Sequence, residues 1–113
     1  MTFDKFTIKA QEAIQSALDT AKRNGQQTIE PVHILAGVMD KGKDVTDYVL
    51  QKLGVNAQTV ELSLQNEIKH LPKVSGGEPY FSPDSNKVLE KTLDISQKLG
   101  DDYVSSEGQT GRM

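Results

Sequence analysis

The fold is decided by residues 6–25, FTIKAQEAIQSALDTAKRNG, because a second version of this stretch follows at residues 81–100, FSPDSNKVLEKTLDISQKLG. The identical positions in the two copies are Phe6 and Phe81, Leu18 and Leu93, Asp19 and Asp94, and Gly25 and Gly100. Each copy predicts a capped amphipathic helix that ends at a glycine and is followed by a short polar loop. A duplicated helical unit is typical of a shared core with paired surfaces, and indicates a binding module more than a catalytic cleft.

The chain reads as five helices without a convincing strand, so the predicted fold class is all-α. Thr7 is expected to cap the first helix, since its hydroxyl can accept a backbone N–H that has no partner at a helix start. Gly25 ends that helix in a left-handed conformation. A second helix begins at Pro31, whose missing N–H would be unpaired there anyway, and ends near Gly42. Its apolar residues are all expected to face inward: Val32, Ile34, Leu35, Val38 and Met39.

Caps and breaking residues also delimit the next two helices. Asp44 is expected to cap a third helix that ends at Gly54. Asn56 is expected to cap a fourth helix, which Pro72 stops. The fourth helix carries an apolar stripe at helical spacing: Val60, Leu64, Ile68 and Leu71.

The repeat divides the chain into four segments. Residues 1–72 form the first helical repeat, 73–80 a linker, 81–107 the start of a second helical repeat, and 108–113 a polar tail. The fifth helix begins at Ser82 and is expected to end at Gly100, as the first ends at Gly25. Because the tail GQTGRM is unlike an apolar helix, the second repeat reads as truncated. The uncovered apolar face that this leaves on the fifth helix favours dimerisation.

Composition narrows the class of protein. The chain has 113 residues, a net charge of −3 and no cysteine. The charge argues against nucleic-acid binding, which requires a basic surface. The lack of cysteine excludes disulfides and thiolate metal sites. No apolar run resembles a signal peptide or a membrane span, so we expect a cytoplasmic chain with no membrane partner.

One segment of the sequence resembles a nucleotide-binding loop. Residues 37–44, GVMDKGKD, match a phosphate-binding loop at every defined position but the last, where Asp44 replaces the Ser or Thr that would ligate magnesium. The segment also follows a helix and not a strand. We therefore interpret it as a helix end and turn, and expect no cofactor.

The chain has two histidines, which are further candidates for metal-binding or catalytic residues. His33 adjoins the apolar run of the second helix and is interpreted as a hydrogen-bonded structural residue rather than a metal ligand. His70 is expected at the end of the fourth helix, where a cation suits the helix dipole. The acidic pair Asp101-Asp102 is interpreted as part of a solvated turn. We expect no metal site and no catalytic residue.

Four stretches in order carry a resemblance to a known family. They are FDKFTIKAQEAI near the start, IEPVHILAGVM at residues 29–39, LPKV at 71–74 and GDDYVSSE at 100–107. Together they resemble the N-terminal domain of the Clp family of ATP-driven unfoldases, in the form found in ClpB-type disaggregases. The resemblance covers about residues 1 to 107, and implies a helical domain of two pseudo-repeats.

The resemblance also implies a polypeptide-binding site, which is a shallow apolar patch with a polar rim. Its positions fall on Thr7, Asp101 and Glu107, with Leu89 at an apolar position of the groove. Each of the four residues has a structural alternative. Thr7 is a helix cap, Asp101 a turn residue after Gly100, Glu107 an acid in the first turn of a next helix, and Leu89 a core residue.

The partners implied by the resemblance are unfolded or aggregated polypeptides, delivered to an ATPase ring. That ring, a homohexamer in the longer parent, is absent from these 113 residues, so we expect no enzymatic activity and a monomer or dimer. Two alternatives remain open. One is an adaptor-docking N-domain of a protease-coupled Clp ATPase, which binds a small folded adaptor. The other is a free-standing regulator of a Clp machine.

Overall fold

The protein consists of five helices and one very small sheet over the part of the chain that its computed structural model describes, residues 7–74 and 76–107. Side chains at 95–97 and 99–107 lie outside that description. In chain order the elements are α1 (Ile8–Arg23), β1 (Thr28–Ile29), α2 (Pro31–Lys41), α3 (Lys43–Lys52), α4 (Ala57–Lys69), β2 (Tyr80–Phe81) and α5 (Pro83–Glu107). The predicted all-α fold class is confirmed.

The centre of the molecule is a close contact between α1 and α2. On α1 the contact face consists of small residues, Ala13 and Ala17, both buried. They oppose Gly37 of α2, where a β-carbon would overlap the carbonyl oxygen of Ala13 and lie 3.2 Å from the backbone nitrogen of Ala17. The two helix backbones can approach this closely only because position 37 has no side chain.

A single apolar cluster joins α1, β1, α2 and α5. Its buried members are Ile14, Ala17, Ala21, Ile29, Ile34 and Leu89, with Leu18 and Phe81 packed against them. Among the described side chains of α5, Leu89 is the one that belongs to this cluster. Burying a leucine side chain contributes about 1.5–3 kcal/mol.

The prediction that the chain contains no strand is wrong at one place. Strands β1 and β2 pair in parallel, with Thr28 opposite Tyr80 and Ile29 opposite Phe81. The pair continues into α5, because the buried hydroxyl of Ser85 donates to the Ile29 carbonyl at 2.7 Å. Each strand has two residues, too few to show the alternating pattern by which strands are recognised in a sequence.

Three of the predicted helix starts are confirmed. The Thr7 hydroxyl accepts from the Ala10 backbone N–H at 3.1 Å, the Asn56 side chain accepts from Thr59 N–H at 3.0 Å, and α2 begins at Pro31. The prediction that Asp44 caps α3 is wrong, since Gly42 holds that position and Asp44 lies in the first turn. An acid stabilises the first turn as it does the cap, so the sequence did not distinguish the two.

The apolar residues of α2 do not all face inward as predicted. Ile34 and Met39 are buried, whereas Leu35 and Val38 are exposed. A helix buries only the side that meets its neighbours. On α2 that side carries Gly37 and contacts α1.

The second repeat departs from the first after Lys98, the counterpart of Arg23. Ser82 is the counterpart of Thr7 and caps α5 in the same way, accepting from Ser85 N–H at 3.0 Å. However, α5 continues through Gly100 to Glu107, whereas α1 ends at Arg23 before Gly25, whose φ is +67°. The prediction that Gly100 ends the fifth helix is therefore wrong. A glycine inside a helix costs about 1 kcal/mol, which the hydrogen bonds of the continuing helix can offset. The division of the chain into repeats, linker and tail stays a prediction.

Candidate functional site

Thr7 lies at the exposed start of α1. Its hydroxyl oxygen accepts the capping bond from Ala10. A hydroxyl also has a proton to donate and a second lone pair, so the cap does not use its full bonding capacity. The next residue, Ile8, is 75% exposed. An exposed apolar side chain beside a hydroxyl is a combination that suits contact with a polypeptide, and the sequence reasoning did not single out Ile8.

Leu89 lies in the core of the molecule and not on its surface. It is 4% exposed and belongs to the apolar cluster with Ile14 and Ile34. Of the two interpretations of Leu89, this position favours the core residue. Leu89 packs α5 against α1 and α2.

Asp101 and Glu107 both lie in the C-terminal part of α5, and their side chains are outside the described part of the structure. Asp101 is inside the helix and not in a turn, and Glu107 is the last residue of α5 and not in the first turn of another helix. Both of these structural alternatives are therefore wrong. At 3.6 residues per turn, their α-carbons are about 120° apart around the axis and roughly 9 Å apart along it.

The helix also fixes how far these positions lie from Leu89. Glu107 comes 18 residues after Leu89, which is five turns, so the two α-carbons lie on the same side of α5 about 27 Å apart. Asp101 is about 18 Å along the axis from Leu89 and a third of a turn away. The four positions expected to form the site are thus spread along α5 and the start of α1.

His33 has the structural role that was predicted for it. The ring is fully buried. Its Nδ1 accepts from the backbone N–H of Glu30 at 2.9 Å, and its Nε2 donates to the side-chain oxygen of Gln26 at 2.7 Å. Burial lowers the pKa of His33, against a smaller opposing effect of the Glu30 carboxylate. The ring is held neutral, with its proton on Nε2.

Gln26 extends this hydrogen-bonded chain to α4. The side chain is 4% exposed, and its amide nitrogen donates to the carbonyl of Ile68 near the end of α4. Gln26 thus connects His33 of α2 to α4 across the interior. The sequence reasoning missed Gln26, because a glutamine in a polar loop gives no local signal that it is buried.

Two further predictions concern possible ligand sites. Residues 37–44 form the end of α2, the junction at Gly42 and the start of α3, which confirms the helix-end-and-turn interpretation. His70 caps the C-terminus of α4 as predicted, and its Nδ1 donates to the Asn66 carbonyl at 2.7 Å. Among the side chains that the structure describes, no group of three or more His, Cys, Asp or Glu is arranged to hold a metal ion.

A groove that the sequence did not predict lies between α2 and α4, with a volume of about 550 Å³. Met39 and Leu64 contribute apolar surface, and Asp40, Lys43 and Glu61 contribute charge. Lys43 Nζ lies 3.4 Å from Asp47 and 3.6 Å from Glu61. These carboxylates, Asp47 foremost, raise the pKa of Lys43. The charges of this groove are thus largely paired within the chain.

Comparison with known proteins identifies the domain. The family model of the Clp repeat (R) N-terminal domain matches residues 5–108. The chain is similar to the chaperone protein ClpB of Bacteroides thetaiotaomicron, with 53% identity over 107 residues, which are 95% of this chain and 12% of that protein. It is also similar to ClpB of Porphyromonas gingivalis, with 44% identity over the same shares. ClpB of Corynebacterium efficiens is 36% identical over 89% of this chain and 12% of its own length.

The chain spans about an eighth of the length of these curated relatives, and the match falls on their Clp N-terminal domain. No helix in the described residues is long and apolar enough to cross a membrane. The duplicated capped helix, the IEPVH segment around the buried His33 and the family match agree: the chain belongs to the Clp repeat (R) N-terminal domain family, and is a domain of the ClpB type.

Proposed function

We propose that this domain binds unfolded or aggregated polypeptides for the ATPase ring of a ClpB-type disaggregase. The observation that carries the proposal is the similarity to ClpB chaperones at 53% and 44% identity over 95% of the chain. The exposed start of α1 supports it, since Ile8 offers apolar contact and Thr7 a hydroxyl. Apolar contact with few directional bonds gives weak and sequence-tolerant binding, which suits many different clients.

Within this proposal Thr7, Asp101 and Glu107 contact the polypeptide, and Leu89 maintains the groove from within. The carboxylates of Asp101 and Glu107 would accept hydrogen bonds from client N–H groups or lysines. Leu89 would act by fixing α5 against the first repeat, since it is buried in the cluster that joins them.

The test is the binding of a permanently unfolded protein, reduced and carboxymethylated α-lactalbumin, followed by fluorescence anisotropy. Asp101→Asn and Thr7→Asp should each weaken binding about tenfold. Asp101→Asn removes a charged acceptor and Thr7→Asp removes a hydroxyl donor, so each variant loses one hydrogen bond to the client. Thr7→Asp keeps a capping oxygen for Ala10, so that a loss of binding is not a loss of the helix start.

Two controls make the result specific. Val74→Gln changes an exposed apolar residue in the loop after α4 and should leave binding unchanged. Native, folded α-lactalbumin should bind far more weakly than the unfolded form. If both site variants keep their helicity and bind the unfolded protein within about twofold of the parent, the site assignment is wrong. Preference for a folded partner at fixed stoichiometry would instead support adaptor docking.

A further inference from the structure

Helix α3 is turned with its apolar side toward solvent. Val45, Tyr48, Val49 and Leu53 are 68%, 60%, 45% and 69% exposed, and none of the residues of α3 is buried. Their spacing of three and four positions places them along one side of the helix. We call these four residues the α3 stripe. Most amphipathic helices in a folded domain bury such a stripe.

The opposite side of α3 is half-buried against the rest of the domain at Thr46, Asp47 and Leu50. Thr46 donates from its hydroxyl to the Gly42 carbonyl at 3.1 Å. Asp47 is paired with Lys43, which also reaches Glu61 of α4. Of these contacts, the one between Lys43 and Glu61 joins α3 to another helix, and the α3 stripe lies on the side that faces away from the rest of the domain.

The charges beside the α3 stripe are placed to pair with the charges of a helix that runs in the opposite direction. Asp44 lies near the N-terminal end of α3 and Lys52 at its C-terminal end, with Tyr48 midway between them on the same row of positions four apart. In the described part of the chain neither residue forms an ion pair. Lys52 Nζ instead lies 5.4 Å from the centre of the Tyr48 ring.

We propose that α3 docks antiparallel against α3 of a second copy of this chain. An antiparallel pair related by a two-fold axis brings Asp44 of each copy toward Lys52 of the other, while a parallel pair would bring like charges together. Opposed helix dipoles also favour the antiparallel arrangement. The surface of one helix is thus complementary to itself in apolar character and in charge.

The size of the α3 stripe determines how strong this association is. One pair of short helices buries less than the roughly 1,200–2,000 Å² of a stable protein–protein interface. The dimer is therefore weak and forms only at high local concentration. It is driven by the four apolar side chains, and its direction is set by the two charges.

The test is sedimentation equilibrium of the 113-residue chain from about 10 μM to about 1 mM, the range in which weak complexes form. The apparent mass should rise with concentration from 12.4 kDa toward twice that value. Val45→Gln with Val49→Gln should weaken the dimer at least about tenfold. Glutamine favours a helix more than valine does, so this variant should keep α3 folded.

A charge exchange tests the direction of the pair separately. Asp44→Lys alone and Lys52→Asp alone should each weaken the dimer, and the double variant should recover most of the loss, because the opposed charges are then reversed together. Circular dichroism monitors the cost of a lysine in the first turn of α3. Val74→Gln changes an exposed valine in the loop after α4, and this variant should dimerise like the parent.

Three results would overturn the proposal. One is a mass of 12.4 kDa at every concentration. Another is a dimer that is insensitive to Val45→Gln with Val49→Gln, which would place the contact on another face. The third is a monomer that binds unfolded α-lactalbumin through Val45 and Val49, which would make the α3 stripe a surface for clients.

Discussion

Gly37 controls the distance between α1 and α2. We expect Gly37→Ala to destabilise the domain by about 1–3 kcal/mol, the usual cost of forcing extra volume into a packed contact, because the new methyl group would overlap the Ala13 carbonyl oxygen. In a free helix the same change would stabilise by about 1 kcal/mol, so the expected sign is opposite to helix propensity. Urea unfolding followed by circular dichroism measures the effect.

The control for this prediction is Ala36→Gly, at the neighbouring position on α2 and on the side of the α2–α4 groove. It should cost about 1 kcal/mol, as a glycine in a helix usually does. If Gly37→Ala is instead as stable as the parent, α1 and α2 are not held in the close contact described above.

At the residue scale, the sequence predicted local roles well and long-range roles poorly. Thr7 and Asn56 are caps, as predicted, because a cap depends on residues only a few positions away. Gln26 could not be predicted, because its partners are His33 and Ile68, and the Ile68 contact joins residues 42 positions apart. The same limit applies to Ile8, whose exposure depends on where the other helices lie.

Two glycines at corresponding positions of the repeat have opposite roles in their helices. We expect Gly25→Ala to destabilise the domain by about 1 kcal/mol, since φ at Gly25 is +67° and a β-carbon is strained there. We expect Gly100→Ala to raise helicity and stabilise by up to about 1 kcal/mol, since Gly100 lies inside α5. Thermal unfolding and the helical signal in circular dichroism measure both.

The two variants serve as controls for each other, because the chemical change is the same. A loss of stability with Gly100→Ala comparable to that with Gly25→Ala would mean that α5 ends at Gly100. That result would restore the sequence-based interpretation of the second copy as a full repeat of the first.

At the element scale, the duplicated segment was a good guide up to Lys98 and a poor one beyond it. Ser82 and Thr7 cap their helices by the same bond. Gly25 and Gly100 correspond in the sequence, yet α5 continues past Gly100, so the glycine alone did not determine where the helix ends. Glycine permits a left-handed residue but does not require one, so the end of a helix also depends on the next residues and on the elements packed against them. The positions of Asp101 and Glu107 were misjudged for this reason.

The buried pair of His33 and Gln26 should make the stability of the whole domain depend on pH. Burial lowers the pKa of His33 in the folded state below that of the unfolded chain, so between these two values the unfolded state binds more protons. The stabilising contribution is therefore complete above about pH 6.5 and is lost as the pH falls toward the folded-state pKa. The slope should reach at most about 1.4 kcal/mol per pH unit.

Urea unfolding between about pH 5 and 8, the range over which a histidine titrates, measures this dependence. His33→Asn should lower stability throughout and remove the slope near pH 6 that histidine causes. His70→Gln is the matched control, since His70 is exposed at the end of α4, and it should retain the slope. A His33→Asn variant with an unchanged slope would assign the pH dependence to other groups.

The contact between Ser85 and Ile29 joins residues 56 positions apart. Contacts between residues so far apart in the sequence form later in folding than local ones. Closing a loop of that length costs about 3.5 kcal/mol of chain entropy, whereas only residues 24–30 separate α1 from α2. We therefore expect the α1–α2 pair to form early and the docking of α5 to come late. During synthesis on a ribosome, the first four helices would be complete before the chain that closes their core had been made.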